Sequence, residues 1–244
     1  MLKIGHRGAK AYAPENTLSS FRKALELGVD MVEFDVRITK DKYPIVIHDN
    51  QLIRLTQKFG RVDRLTLREI KQFKIQYKDE EEVIPTLSEV LEVVDNKVGL
   101  DIELKIKGSA QIVIQTLRDY KINFENVMIS SNHASEIRIA EELEPEITTA
   151  LVFRSGNAFS FWFVLDFLAI LFLPITMYYI SWLVKRANTN YLCINHLFLS
   201  KNKVAKFKKK GIKICAWTVN EQEKINYLKS LGIDGIITNY PDRL

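Results

Sequence analysis

Short apolar runs of four to seven residues alternate along this chain with longer stretches whose apolar residues recur at helical spacing. The runs at residues 2–6, 31–36, 98–104, 127–130, 148–153, 191–194, 212–217 and 235–238 read as eight strands. Helical patterns fill the gaps between them. At 17–27, Leu18, Phe21, Ala24 and Leu25 make one apolar face, and Gly28 stands where the helix stops. Thr66 with Glu69 has the form of a capping box, 85–89 opens another helix, and 221–231 ends at Gly232. Strands alternating with helices predict a parallel sheet of βα units. Eight such units, in a chain of 244 residues, predict one domain over 1–244: an α/β fold of the TIM (β/α)8 barrel type. A ninth run at 45–48 follows the second strand too closely for a helical crossover and reads as a hairpin addition. The connection 50–85 holds short elements only, and its acidic run at 79–82 reads as solvated surface.

One stretch departs from a plain barrel. From Phe159 to Val184 the only charge is Asp166, and Pro174 divides the segment. Beyond Pro174, residues Ile175, Tyr178, Tyr179, Trp182 and Leu183 fall on one stripe, which predicts an ordinary barrel helix packed by that face. Residues 159–173, from Phe159 to Leu173, are apolar all round, as in helices buried in protein or lipid. A single crossing would separate two strands of one barrel, so no transmembrane span is expected. The region 158–174 is read instead as an apolar helical insertion between strands 5 and 6. It would dock peripherally on a membrane beside the mouth of the barrel. Packing against the barrel, or in a homodimer, is the alternative.

Composition narrows the partners. A net charge of +5, with no arginine-rich arm, gives no sign of nucleic acid. Residues 201–213 hold seven lysines, read as a solvated face or as contact with anionic lipid. Cys193 and Cys215 sit in strand-like runs without zinc spacing and read as buried, reduced thiols. No signal peptide precedes the first strand, so a cytoplasmic protein, peripheral on the cytoplasmic face of the membrane, is expected.

Polar residues collect where the predicted strands end. His6-Arg7-Gly8 follows the first. Glu33 and Asp35 lie i, i+2 on the second, so both face one side of the sheet. His48-Asp49 closes the hairpin, Asp101, Glu103 and Lys105 share a face of the next strand, and Trp217 to Asn220 end another. The carboxyl ends of barrel strands are where such enzymes place their chemistry. Three converging carboxylates, Glu33, Asp35 and Glu103, repel one another at low dielectric and call for positive charge. Arg7 and Lys105 supply some, and a hard divalent cation with oxygen ligands supplies it better. Two histidines beside that cluster suit general acid and base work, and Arg7 and Lys105 suit phosphate. The set fits phosphodiester cleavage. Acyl transfer is disfavoured because no GxSxG elbow is present.

In order along the chain, His6-Arg7-Gly8, Pro14-Glu15-Asn16-Thr17, Glu33-Phe34-Asp35-Val36, His48-Asp49, Glu103-Leu104-Lys105, Trp217-Thr218-Val219-Asn220 and Gly235-Ile236-Ile237-Thr238 resemble the motifs of glycerophosphodiester phosphodiesterases. The resemblance implies metal-dependent hydrolysis of glycerophosphodiesters to sn-glycerol 3-phosphate and an alcohol. His6 and His48 would be the acid–base pair, and Glu33, Asp35 and Glu103 the ligands of Mg2+ or Ca2+. Arg7 and Lys105 would hold phosphate, Glu15 and Asn16 would buttress the first loop, and Trp217 would wall the glycerol pocket. The 50–85 connection resembles that family's small insertion after strand 2. Asn132 and Asn239 stand where the family commonly has an aromatic and an aspartate, a difference expected to bear on substrate preference. The rivals are a lysophospholipase D acting on lysophospholipids and a catalytically inactive, membrane-attached binding protein.

Overall fold

The computed structural model describes residues 1–77, 80–153 and 173–244. Its strands are β1 (Leu2–His6), β2 (Met31–Ile38), β3 (Pro44–Val46), β4 (Lys74–Tyr77), β5 (Glu80–Val83), β6 (Gly99–Leu104), β7 (Val127–Ser131), β8 (Thr148–Phe153), β9 (Tyr191–Asn195), β10 (Lys213–Trp217) and β11 (Gly235–Thr238). The helices are α1 (Leu18–Glu26), α2 (Ile53–Thr56), α3 (Leu67–Ile70), α4 (Leu87–Val94), α5 (Ala110–Asp119), α6 (Ala134–Leu143), α7 (Leu173–Ala187), α8 (Lys201–Lys209) and α9 (Gln222–Ser230). β1 pairs in parallel with both β2 and β11, and the order β1-β2-β6-β7-β8-β9-β10-β11 closes the predicted eight-stranded barrel. β3 runs antiparallel to β2, with Val46 opposite Val36, as the hairpin addition requires.

Alternation along each strand sorts the residues. On β2, Val32, Phe34 and Val36 point outward and join one apolar cluster beneath the helices. The residues between them point into the barrel. There Ile4, Met31, Met128, Val152, Cys193 and Ile237 belong to an apolar floor, and burying each such side chain stabilises the fold by about 1.5–3 kcal/mol. Cys193 and Cys215 are opposite one another on β9 and β10, both buried and unbridged. One step further along the same strands the interior turns polar, at His6, Glu33, Glu103, Ser130 and Trp217.

The helix signals in the sequence are realised as capping contacts. Thr17 accepts from the Ser20 backbone N–H, and Thr66 with Glu69 forms a reciprocal capping box. Thr86 and Glu89 form a second. Between Asn50 and Pro85 a separate apolar cluster, including Leu52, Val62, Ile70, Ile75 and Ile84, holds short helices and an antiparallel β4–β5 pair. That pairing draws Glu80–Glu82 of the acidic run into an edge strand.

The predicted stripe of α7 packs only in part. Among the described side chains of α7, Ile180, Val184 and Ala187 are buried and Leu183 packs against the same cluster, whereas Tyr178 is 74% exposed and Tyr179 and Trp182 are also exposed. This helix is apolar on more than one side, so periodicity alone was ambiguous. The barrel takes the side of small and β-branched residues that packs closely, and leaves the aromatic rings, with their polar tips, to water. The expected docking helix at 159–173 lies outside the described residues except for Leu173, the first residue of α7. Among the described residues, no helix is long and apolar enough to cross a membrane.

Glu136 is a further structural anchor. It is 1% exposed, and its carboxylate accepts from the backbone N–H groups of Gly108, Ser109 and Ala110 at 2.9–3.0 Å, where α5 begins. Helix starts expose unpaired N–H donors and favour negative charge. Glu136→Ala strands those donors in the interior and is expected to lower stability by about 2–3 kcal/mol in urea unfolding.

Candidate active site

The first loop is shaped by backbone geometry. Arg7 and Gly8 both take positive φ, 51° and 84°. At Gly8 a Cβ would lie 2.4 Å from Ser20 Oγ and 2.7 Å from the Ser20 backbone, so the close approach of the loop to α1 admits glycine alone. The turn directs the Arg7 backbone N–H to Glu33 Oε2 at 2.8 Å. It also places the Arg7 guanidinium against Glu15 at 2.7 Å and Asp35 at 3.2 Å.

Parallel register sets the carboxylates side by side. Glu33 is opposite Asp101 and Asp35 opposite Glu103 on β2 and β6, while His6 on β1 is level with Glu33. One carboxylate oxygen from each of Glu33, Asp35 and Glu103 lies within 4.8 Å of the others. Lys105 Nζ bridges Asp35 at 3.1 Å and Glu103 at 2.7 Å. Asn16 donates from Nδ2 to Asp35 Oδ2 at 2.9 Å.

Burial pushes the carboxyls of Glu33, Asp35 and Asp101 upward, and neighbouring charge then separates them. Lys105 and Arg7 more than offset burial at Asp35 and hold it well below the usual carboxylate range. At Glu33, burial and the charges of Asp35 and Asp101 push it well above that range. Burial lifts Asp101 to about 7. The protein's own cations therefore leave the cluster short of positive charge. Oxygen donors at this spacing, with that deficit, fit a hard divalent cation.

Both histidines line the same cavity as Glu33, Glu103 and Trp217. His6 Nδ1 is 2.6 Å from Asn239 Oδ1, an acceptor, which assigns the proton to Nδ1 and the lone pair to Nε2. Nε2 lies 3.9 Å from Glu33. Burial first, and the Arg7 charge second, push the imidazole down to about 3, so His6 is neutral at physiological pH. His48 Nδ1 meets Asp49 Oδ1 at 2.6 Å, so Nδ1 carries a proton. Asp49 is held by Arg54, and Arg54 reaches Glu15 at 2.5 Å. Burial pushes Glu15 up, but the Arg54 hydrogen bond and the charges of Arg7 and Lys10 bring it down to about 2. Glu15 is thus the hub that ties the two histidine loops together.

All ten residues singled out in the sequence fall in this region. His6, His48, Glu33, Glu103, Arg7 and Trp217 line the cavity, while Asp35, Lys105, Glu15 and Asn16 are buried around it. Four further contributors were given no role in the site by the sequence reading. Asp101, 1% exposed, lines the cavity and accepts from Ser130 Oγ at 2.7 Å. Its shared face with Glu103 was read from the sequence, but not its place in the cavity. Asp49 and Arg54 orient His48. Asn239, expected to bear on substrate preference, instead touches His6 from 233 positions away, beyond the reach of local pattern.

A carboxylate in that place should change the acid limb of the pH–rate profile. In Asn239→Asp, negative charge against Nδ1 favours the imidazolium, so the His6 pKa rises by about 1–3 units. His6 is then protonated at higher pH than in the wild type, and activity is lost earlier on acidification. A profile of kcat/KM against pH measures the displacement.

The comparisons with known proteins agree with this geometry. Residues 6–243 match the model of the glycerophosphoryl diester phosphodiesterase family. A glycerophosphodiester phosphodiesterase of Caldanaerobacter subterraneus is 33% identical over 100% of this chain and 96% of its own length. An Oleispira antarctica phosphodiesterase, solved in complex with the product sn-glycerol-3-phosphate, superposes with a TM-score of 0.80 at 26% identity, covering 98% of this chain and 93% of that one. A glycerophosphodiester phosphodiesterase from Thermotoga maritima gives a TM-score of 0.74 at 28% identity, covering 99% and 96%.

Proposed function

The chain belongs to the glycerophosphoryl diester phosphodiesterase family, and we propose that it hydrolyses glycerophosphodiesters to sn-glycerol 3-phosphate and an alcohol, with His6 and His48 as the acid–base pair. One observation carries this reading. Two imidazoles, each held through Nδ1 by an oxygen acceptor, line a single cavity beside the Glu33, Asp35 and Glu103 cluster.

His6, neutral and desolvated, accepts a proton from the attacking water at Nε2. As the water oxygen bonds to phosphorus, the bond from phosphorus to the leaving oxygen breaks. His48 acts as the imidazolium, its Nδ1–H held by Asp49; it gives its Nε2 proton to that oxygen, releases the alcohol and is left neutral. Arg7 and Lys105 place positive charge beside the phosphoryl oxygens. Trp217 walls the pocket for the glycerol moiety. Glu33, Asp35 and Glu103 would hold the divalent cation, Mg2+ or Ca2+, and when bound it neutralises carboxylate charge and polarises the phosphoryl group. Glu15 and Asn16 act through Arg7 and Asp35 as positioning residues. The barrel, with its 50–85 excursion, is the whole catalytic unit.

The apolar sequence at 159–173 supports a second element of the reading, peripheral contact with a membrane on its cytoplasmic face. It also favours a second substrate class, lysophospholipids cleaved between phosphate and headgroup. The deciding assay offers glycerophosphocholine and lysophosphatidylcholine in parallel, each with and without EDTA. EDTA-sensitive release of glycerol 3-phosphate supports the main reading. Turnover of the lysophospholipid alone replaces it with the lysophospholipase D, and no turnover of either points to a binding protein.

A further inference from the structure

Between Asp166 and Glu221 the chain contains no aspartate or glutamate, yet this stretch holds nine of the 35 lysines and arginines. The rest of the chain is net acidic. The fold gathers these cations on one flank. Lys185 and Arg186 end α7, four exposed lysines lie along α8, and exposed Lys210 and Lys213 follow at the entry to β10. The aromatic residues that α7 turns away from the core lie on the same flank. Tyr179 stacks on Trp182 with ring centroids 6.0 Å apart, and the Arg186 guanidinium lies 5.2 Å from the Trp182 ring. Tyr178, Trp182, Lys185 and Lys210 line one groove of about 470 Å³, braced by the hydrogen bond from Lys210 Nζ to Ser181 Oγ at 2.9 Å.

We propose that this aromatic and basic flank docks the protein on an anionic lipid bilayer. The inference rests on the membrane contact in the proposed function but assigns it to different residues. Trp and Tyr rings favour the headgroup level, where an apolar body and a polar tip are both satisfied. Clustered lysines are drawn to anionic headgroups by charge, without directional bonds. Eight of the nine cations are lysine, whereas recognition of a nucleic acid would favour the arginine fork. Lys210 precedes β10 and Lys213 opens it, at the end of the barrel opposite the cavity, so docking here leaves the mouth open to water-soluble diesters.

The test is co-sedimentation of the full chain with vesicles of phosphatidylcholine, alone or with about one third phosphatidylglycerol. Binding is expected to the anionic vesicles only and to weaken as salt rises. Lys185→Gln with Lys210→Gln should lower the partition coefficient by about twentyfold, and Trp182→Ala should lower it further. Turnover of glycerophosphocholine should stay unchanged in these variants, which lie outside the cavity. Equal binding to both vesicle types, or unchanged binding of the double variant, overturns the proposal. So does vesicle binding that is lost on deleting 158–173 yet kept in the double variant, an outcome that leaves the earlier membrane contact standing. A dimeric mass that Trp182→Ala returns to a monomer, with no vesicle binding, would make a second copy the occupant and overturn it too. Failure to turn over any diester while vesicle binding follows the expected pattern would sink the catalytic reading alone.

Discussion

Alanine at His6 is expected to lower kcat for glycerophosphocholine hydrolysis by about 10²–10⁴, the range for losing one general acid or base. His48→Ala should fall in the same range, and the double variant by less than the product, because both serve one displacement. The physical ground is positional. Each ring is held through Nδ1 by a partner at 2.6 Å, so Nε2 is presented in a fixed direction at the cavity. The losses should differ in their dependence on pH. Without His6, the wild-type acid limb set by its ionisation disappears, while His48→Ala keeps it. Substrates with a p-nitrophenol leaving group, which needs little protonation, should largely rescue whichever histidine is the acid. Rescue of His48→Ala but not His6→Ala would confirm the assignment; the reverse would exchange the roles, and activity within about twofold of wild type in both would exclude the pair.

Asp35→Ala should damage both activity and stability. Asp35 is 1% exposed and receives Arg7 at 3.2 Å, Lys105 at 3.1 Å and Asn16 at 2.9 Å. Removing the carboxylate leaves Lys105 with Glu103 alone and strips Arg7 of one of its two acidic partners in a desolvated site. Breaking a buried ion pair from one side costs about 3–5 kcal/mol. The comparison belongs in EDTA, by urea unfolding of both proteins, so that loss of a bound cation does not contribute. Glu33→Gln supplies the contrast. Glu33 is pushed well above the usual carboxylate range, so without a bound cation the folded protein holds its proton to higher pH than the unfolded chain does, and its contribution to stability is fully present only below the unfolded value. As pH rises past the unfolded value the stabilisation is progressively lost, because the unfolded chain ionises first. A neutral glutamine should therefore be tolerated in EDTA, and become more favourable relative to Glu33 as pH rises from about 4 to 7. A loss below about 1 kcal/mol for Asp35→Ala would show that Arg7 and Lys105 do not depend on it.

Most of the candidate site was legible because its signals are local. Glu33 with Asp35, and Asp101 with Glu103, are i, i+2 pairs whose phase follows from strand geometry alone. The strand runs were legible too, since strands buried on both faces must be apolar in nearly every position apart from the site itself. The β4–β5 pair was less so, as its ladder bonds Gln76 to Glu81 with no apolar alternation to announce it.

By itself, then, the sequence determined the barrel, the order of its strands and the residue types that can do phosphodiester chemistry, because those depend on side-chain period and on composition within a few residues. Closure decided the rest. It brought Asn239 to His6, linked His48 through Asp49 and Arg54 to Glu15, and set Asp101 level with Glu33 across two strands. It also chose which face of α7 to bury, since a helix with apolar residues on two sides meets its partner by shape, and shape exists only once β8 and β9 are in place. Contacts between residues far apart in the chain depend on the register and curvature of the whole barrel, and no local window contains either.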